Sequence, residues 1–179
     1  MKNQLHSTFE RIPGKSRTRI FHGYRKLVHT DLYQQVVGFT CMHCKQSISS
    51  DPKLSGVNNR NHCPYCLTSK HVDLFKAGDR LNACKASMRP MGLAWKKSKN
   101  KYGSGLGELM IIHRCDACGE LSLNRIAADD LPDLIQGLFR DTINLPTSLK
   151  HELIQKGIQP LLRKHQSQMQ ACLFGNTHW

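Results

Sequence analysis

A small α+β fold is what this sequence predicts, and three observations predict it. Seven of its eight cysteines lie between residues 36 and 128, six of them as Cys-x-x-Cys pairs. The first thirty residues carry seven basic side chains against one acidic one. From residue 129 onward this pattern gives way to apolar residues at helical spacing. The chain therefore divides into a basic arm (1–35), a cysteine-rich domain (36–128) and a helical C-terminal extension (129–179).

Each element follows from local chemistry. The arm is weakly periodic, is punctuated by Pro13-Gly14-Lys15-Ser16, and reads as a flexible segment that orders on a partner. Val36 to Cys41 (VVGFTC) reads as a strand entering a tight turn. Arg80 to Trp95 and Leu106 to His113 form a hairpin across the polar loop KKSKNKYGSG, and Leu121 to Ile126 adds another strand. Leu131, Leu134, Ile135, Leu138 and Phe139 recur at helical spacing, with Pro132 suited to a first turn. A second helical run starts at Thr147-Ser148 and continues through Leu149, Leu153, Ile154 and Ile158, and Pro160 is expected to kink or end it. These helices read as a cover for the cysteine domain; a docking hairpin for a protein partner is the alternative.

Hydrophobic residues make up 39% of the 179 residues and aromatics 7%, so the core is thin, and thin cores need staples. Disulfides would require an oxidising compartment. The stretch MKNQLHSTFERIPGKSRTRIF lacks the apolar run of a secretory leader, and no segment approaches the roughly 18 apolar residues of a membrane span. The expectation is a cytoplasmic protein with no membrane partner, where paired cysteines bind metal or do redox chemistry. Charge points to a partner: 26 Lys+Arg against 13 Asp+Glu leave a net +13. Part of that excess sits in the arm (Arg17, Arg19, Arg25, Lys26) and part in a loop with Lys96, Lys97 and Lys99. Such an imbalance favours a polyanion, nucleic acid above all.

Cys41-Met42-His43-Cys44 is followed, eighteen residues later, by Cys63-Pro64-Tyr65-Cys66. Two residues between cysteines let a tight knuckle aim both sulfurs at one ion, and two knuckles close a tetrahedron around zinc. The glutaredoxin-like letters CPYC do not indicate a redox dithiol. Such a dithiol follows a buried strand and opens a helix, whereas polar turn residues Asn58 to His62 precede this one. A third pair, Cys115 and Cys118, precedes Gly119, and Cys84 on the expected paired strand offers a third sulfur. The fourth ligand is expected to be a histidine or a carboxylate, and the candidates are His71, His113 and His62. His71 is preferred because it leads into Cys84 and can give its other ring nitrogen to Asp73. Two zinc ions are therefore expected, in zinc-ribbon-like β-hairpins bearing knuckles, with Cys172 left as a free thiol.

The runs RNHCPYCLTSKHVD, Gly78-Asp79-Arg80 and HRCDACGELSLNRIAADD together closely resemble the bacterial RNHCP-domain family. The resemblance covers about residues 36–131 and implies a zinc-binding domain without assigning an activity. Ala77 stands where the family prefers proline, which loosens one turn and touches no ligand.

Metal-based catalysis needs an open coordination position, which a four-cysteine site lacks. An HNH-like metal-dependent nuclease is the enzymatic alternative, with His62, His71 and Asn124 among its possible parts, although not in a recognisable order. Binding accounts better for the chain. Arg60, Lys70, Arg80, Lys85, Arg89, Arg114 and Arg125 flank the cysteines, and Tyr65 and His62 can stack on bases. With no recognition helix near the knuckles, structured RNA is favoured over DNA, and analogy with the small basic zinc ribbons of ribosomal and ribosome-associated proteins points to the ribosome. A zinc-stabilised protein-interaction module is the remaining alternative.

Overall fold

The computed structural model describes residues 38–96 and 107–175. Strands β1 (Gly38–Thr40) and β2 (Ser47–Ser49) make an antiparallel ribbon in which Phe39 faces Ile48. Gly38 is required there, since a Cβ would come within 2.4 Å of the Ile48 carbonyl oxygen. One-turn helix α1 (Pro52–Ser55) begins where Asp51 accepts the Lys53 N–H and ends at Gly56, whose φ is +68°.

A larger antiparallel sheet runs in the order β3 (Ser69–Lys70), β4 (Ser87–Lys96), β5 (Glu108–Cys115), β6 (Leu121–Arg125). The edge of β4 opposite β5 is shared: β3 pairs with Ser87 and Met88, and β7 (Gln159–Pro160) pairs with Ala94 and Trp95. Between those partners the Leu93 N–H has no strand to bond, and Thr142 Oγ1 accepts it at 2.7 Å. Pro90, which has no N–H to give, sits beside the register shift between Pro90 and Gly92. A Cβ on Gly92 would lie 2.9 Å from that same Thr142 hydroxyl.

Leu109 to His113 of β5 are all buried, the pattern of a strand covered on both faces. Leu93, Leu109 and Ile111 pack with Ile135, Leu138 and Phe139 of α2 (Pro132–Ile143), with Leu161 and with Met169 of α4 (Gln166–Phe174). Ala94, Ile112 and Leu121 pack instead with Leu153 of α3 (Thr147–Gln155) and with Ile158. Among the described residues, the C-terminal helices share a core with the sheet.

Pro132 opens α2, as its sequence position predicts. Two expectations need correcting. The β4 strand starts at Ser87, not near Arg80, because residues 72–81 fold around the Asp79 carboxylate. Pro160 does not end the second helix: α3 stops at Gln155, Gly157 turns at φ +74°, and Pro160 joins β7. No helix among the described residues is long and apolar enough to cross a membrane.

Candidate metal centres

Three turns of the same construction carry six of the cysteines. In each, the residue after the second cysteine takes a left-handed backbone: Lys45 (φ 63°), Leu67 (φ 59°) and Gly119 (φ 74°). Its N–H donates to the carbonyl of the first cysteine at 3.1, 2.8 and 3.0 Å respectively. The first cysteine's own N–H donates to Gln46, Thr68 or Glu120 O at 2.9, 3.0 and 2.9 Å. Only Gly119 has the residue such a turn favours; Lys45 and Leu67 each adopt it at a cost of roughly 1–2 kcal/mol.

The first two knuckles converge. The sulfurs of Cys41, Cys44, Cys63 and Cys66 all lie within 4.8 Å of one another, with Cys41–Cys66 and Cys44–Cys63 at 3.5 Å. Zn–S bonds of about 2.3 Å place tetrahedral sulfurs about 3.8 Å apart, so the quartet fits an ion and is far too open for disulfides. Burial pushes the Cys63 and Cys66 thiols up, while the Gln46 N–H foremost brings Cys44 down to about 7. A dication lets all four ionise together. Beyond Cys66 the chain passes through left-handed Leu67 to β3, with no helix to activate a redox dithiol.

The second cluster joins His71, Cys84, Cys115 and Cys118, again with all ligand atoms within 4.8 Å. Cys84 lies 3.6 Å from Cys115 and 4.0 Å from Cys118, and His71 Nδ1 is 3.3 Å from Cys118 Sγ. Cys84 precedes β4 and does not lie on it. Backbone bonds from His71 N to Ala86 O and from Lys85 N to His71 O, 2.9 and 3.1 Å, set His71 beside it. The other ring nitrogen of His71 meets the Asn82 carboxamide at 2.7 Å and not Asp73, whose carboxylate accepts the Arg80 N–H at 3.2 Å. At Cys115 burial opposes ionisation, but the N–H groups of Cys118 and Ala117 outweigh it and lower the thiol to about 6. Two sites able to hold two metal ions therefore stand in the fold, and their thiolate-rich donor sets suit zinc.

A family model described as the RNHCP domain matches residues 36–135, 100 of the chain's 179 residues. The chain belongs to the RNHCP-domain family. No curated protein and no solved structure matches it.

The letters of the RNHCP run each have a structural task. Cys63 is a ligand candidate, and the Pro64 carbonyl accepts the Leu131 N–H at 3.3 Å. His62 is buried, with Nε2 at 3.0 and 2.9 Å from the two Asp130 oxygens, and Asp130 Oδ2 also accepts the Ala127 N–H at 2.8 Å. Arg60 donates Nη1 to Asp129 at 2.7 Å and Nε to the His62 carbonyl at 3.1 Å. Its Nη2 stands 3.6 Å from Asp130, buried and without a hydrogen-bond partner. Asn61 O accepts the Ser69 hydroxyl at 3.0 Å. The run thus clamps the second knuckle to the turn before α2. This network corrects two expectations. The Arg60 side chain has no exposed surface to offer a phosphate, and His62 cannot stack on a base.

His113 stays out of the second cluster. It shares a strand face with Cys115, but its ring is buried and engaged with other partners. Its Nε2 donates to the Leu67 carbonyl at 2.7 Å and its Nδ1 lies 3.1 Å from Asn124 Nδ2. Burial above all lowers it to about 3, so the ring is neutral.

Of the other expected nucleic-acid contacts, Lys96 is exposed, whereas Arg17, Arg19, Arg25, Lys26, Lys97 and Lys99 lie outside the described residues. Arg89, Arg114 and Arg125 pair with Asp116, Glu152 and Glu108. Asp79, Asn82, Asp129 and Asp130 were not singled out as site partners by sequence. Only the fold brings them to these centres.

Proposed function

We propose that this protein is a zinc-stapled, zinc-ribbon-like RNA-binding module of the cytoplasm, with the ribosome as its first candidate partner. The eight ligands proposed for its two zinc ions are the clustered residues above. What supports RNA binding is uncompensated charge. The chain carries a net +13, and many of its acids are spent internally: Asp51 on a helix cap, Asp73 and Asp79 on backbone N–H groups, Asp129 and Asp130 on Arg60 and His62. Exposed Lys70, Lys76, Lys85 and Lys96 remain on a metal-held scaffold, and the arm adds Arg17, Arg19, Arg25 and Lys26. Phosphate contacts by such cations release counterions, so affinity should fall linearly in log–log form with salt. Titration of a structured RNA by fluorescence anisotropy across salt concentrations should show that slope, and removing residues 1–30 should flatten it. Absence of RNA affinity at low salt refutes the reading. A zinc-stabilised protein-interaction module is the second reading, favoured by exposed Leu74, Phe75 and Leu81.

A further inference from the structure

Residues 72–81 fold on a single carboxylate. Asp79 Oδ1 accepts the N–H groups of Leu74 and Leu81 at 2.9 and 3.1 Å, and Oδ2 those of Phe75 and Lys76 at 2.8 and 3.0 Å. Led by the Leu74 N–H, these donors hold the Asp79 carboxyl well below the usual carboxylate range. Gly78 turns at φ +89° so close to Asn59 that a Cβ would meet its side chain at 2.6 Å. The loop is fixed, yet it presents apolar surface: Phe75 is 84% exposed and Leu81 65%. A ring held outward on a built turn adds nothing to the core, and exposed apolar surface of this kind marks contact with a partner.

Beside the loop lies a cavity of about 170 Å³, lined by Leu74, Phe75, Met88, Ser122, Asn124 and Lys70 among others. Its polarity is set by a relay. Ser69 Oγ gives its hydrogen to the Asn61 carbonyl at 3.0 Å and accepts from Asn124 Nδ2 at 3.0 Å, and the same Nδ2 lies 3.1 Å from His113 Nδ1. The amide cannot turn over without losing the Ser69 bond. Its oxygen is left as an acceptor with no donor among the described residues. Lys70 and Lys76, exposed on either side, have no ion-pair partner among the described residues, because nearby Asp73 and Asp79 are occupied within the loop.

We propose that the Phe75 loop and this cavity seat one unpaired base of single-stranded RNA. The base stacks on Phe75, gives an N–H to Asn124 Oδ1, and places its flanking phosphates on Lys70 and Lys76. This rests on the RNA-binding reading above and adds its local target. Cations beside an exposed ring favour nucleic acid over an apolar protein surface.

The test compares wild type with Phe75→Ala, Phe75→Trp and Lys76→Gln, using the full zinc-loaded chain. The probes are a short unstructured RNA and a duplex of the same sequence. Phe75→Ala should weaken single-strand binding roughly tenfold without altering the salt slope, duplex affinity or zinc content. Phe75→Trp should restore it, and Lys76→Gln should lower the slope by about one. If wild type binds RNA and Phe75→Ala binds the single strand equally well, the platform is wrong, RNA binding stands, and the loop is left to a protein partner. If wild type binds neither probe, the RNA reading and the platform fall together.

Discussion

The buried Arg60–His62–Asp130 network shows how single side chains hold this domain. His62 is 1% exposed and Asp130 7%, so removing the imidazole leaves this buried carboxylate only the Ala127 N–H and the Arg60 guanidinium. His62→Ala should cost about 1–3 kcal/mol in denaturant unfolding while leaving the zinc content of the folded protein unchanged. Loss of a metal ion from that variant would make His62 a ligand instead. His113 carries a pH prediction. Its folded value of about 3 lies below the ordinary 6.5, so the unfolded chain takes up the proton first as pH falls. The stability it contributes is complete above about 6.5 and is lost as pH drops toward 3. NMR of the ring nitrogens should therefore show a neutral Nε2–H tautomer still present at pH 5; titration near 6.5 would break the relay to Asn124.

The knuckles were legible because their spacing is local: Cys41, Cys44, Cys63 and Cys66 assemble as the pattern predicts, and His71 joins Cys84 by chain proximity. The left-handed turns at Lys45 and Leu67 were not, since neither position carries the glycine that announces such a turn. Pro160 was misread because a proline after an apolar run signals a helix stop, yet it suits a short edge strand equally well. His62 and Asp130, 68 residues apart, meet only through the tertiary fold. Among the elements, the edge of β4 depends on α2 through one hydroxyl. Thr142→Val keeps the shape and orphans the buried Leu93 N–H, which should cost about 1–3 kcal/mol by thermal or denaturant unfolding. An unchanged stability would mean that another group satisfies that donor.

The molecule joins two kinds of core. Around the first cluster the buried residues are Cys41, Ile48 and Cys63, with Phe39, Cys44 and Cys66 packed against them, so four of the six are the candidate ligands themselves. The sheet and C-terminal helices bury Leu93, Ile111, Ile135, Phe139, Leu153 and Leu161 in ordinary apolar contact. Chelation should therefore abolish hydrogen-exchange protection across 38–50 and the Cys63 turn before it affects α2. Simultaneous loss in both regions would show one cooperative unit and contradict this division. The family match spans both clusters and extends through Asp129 and Asp130, which the Arg60 and His62 contacts tie to the second knuckle. Metal is thus expected to supply what Ile48 and Phe39 alone cannot. Native mass spectrometry of the full chain tests this most directly: the folded species should carry two zinc ions per chain, and a folded species with one ion or none would contradict the account.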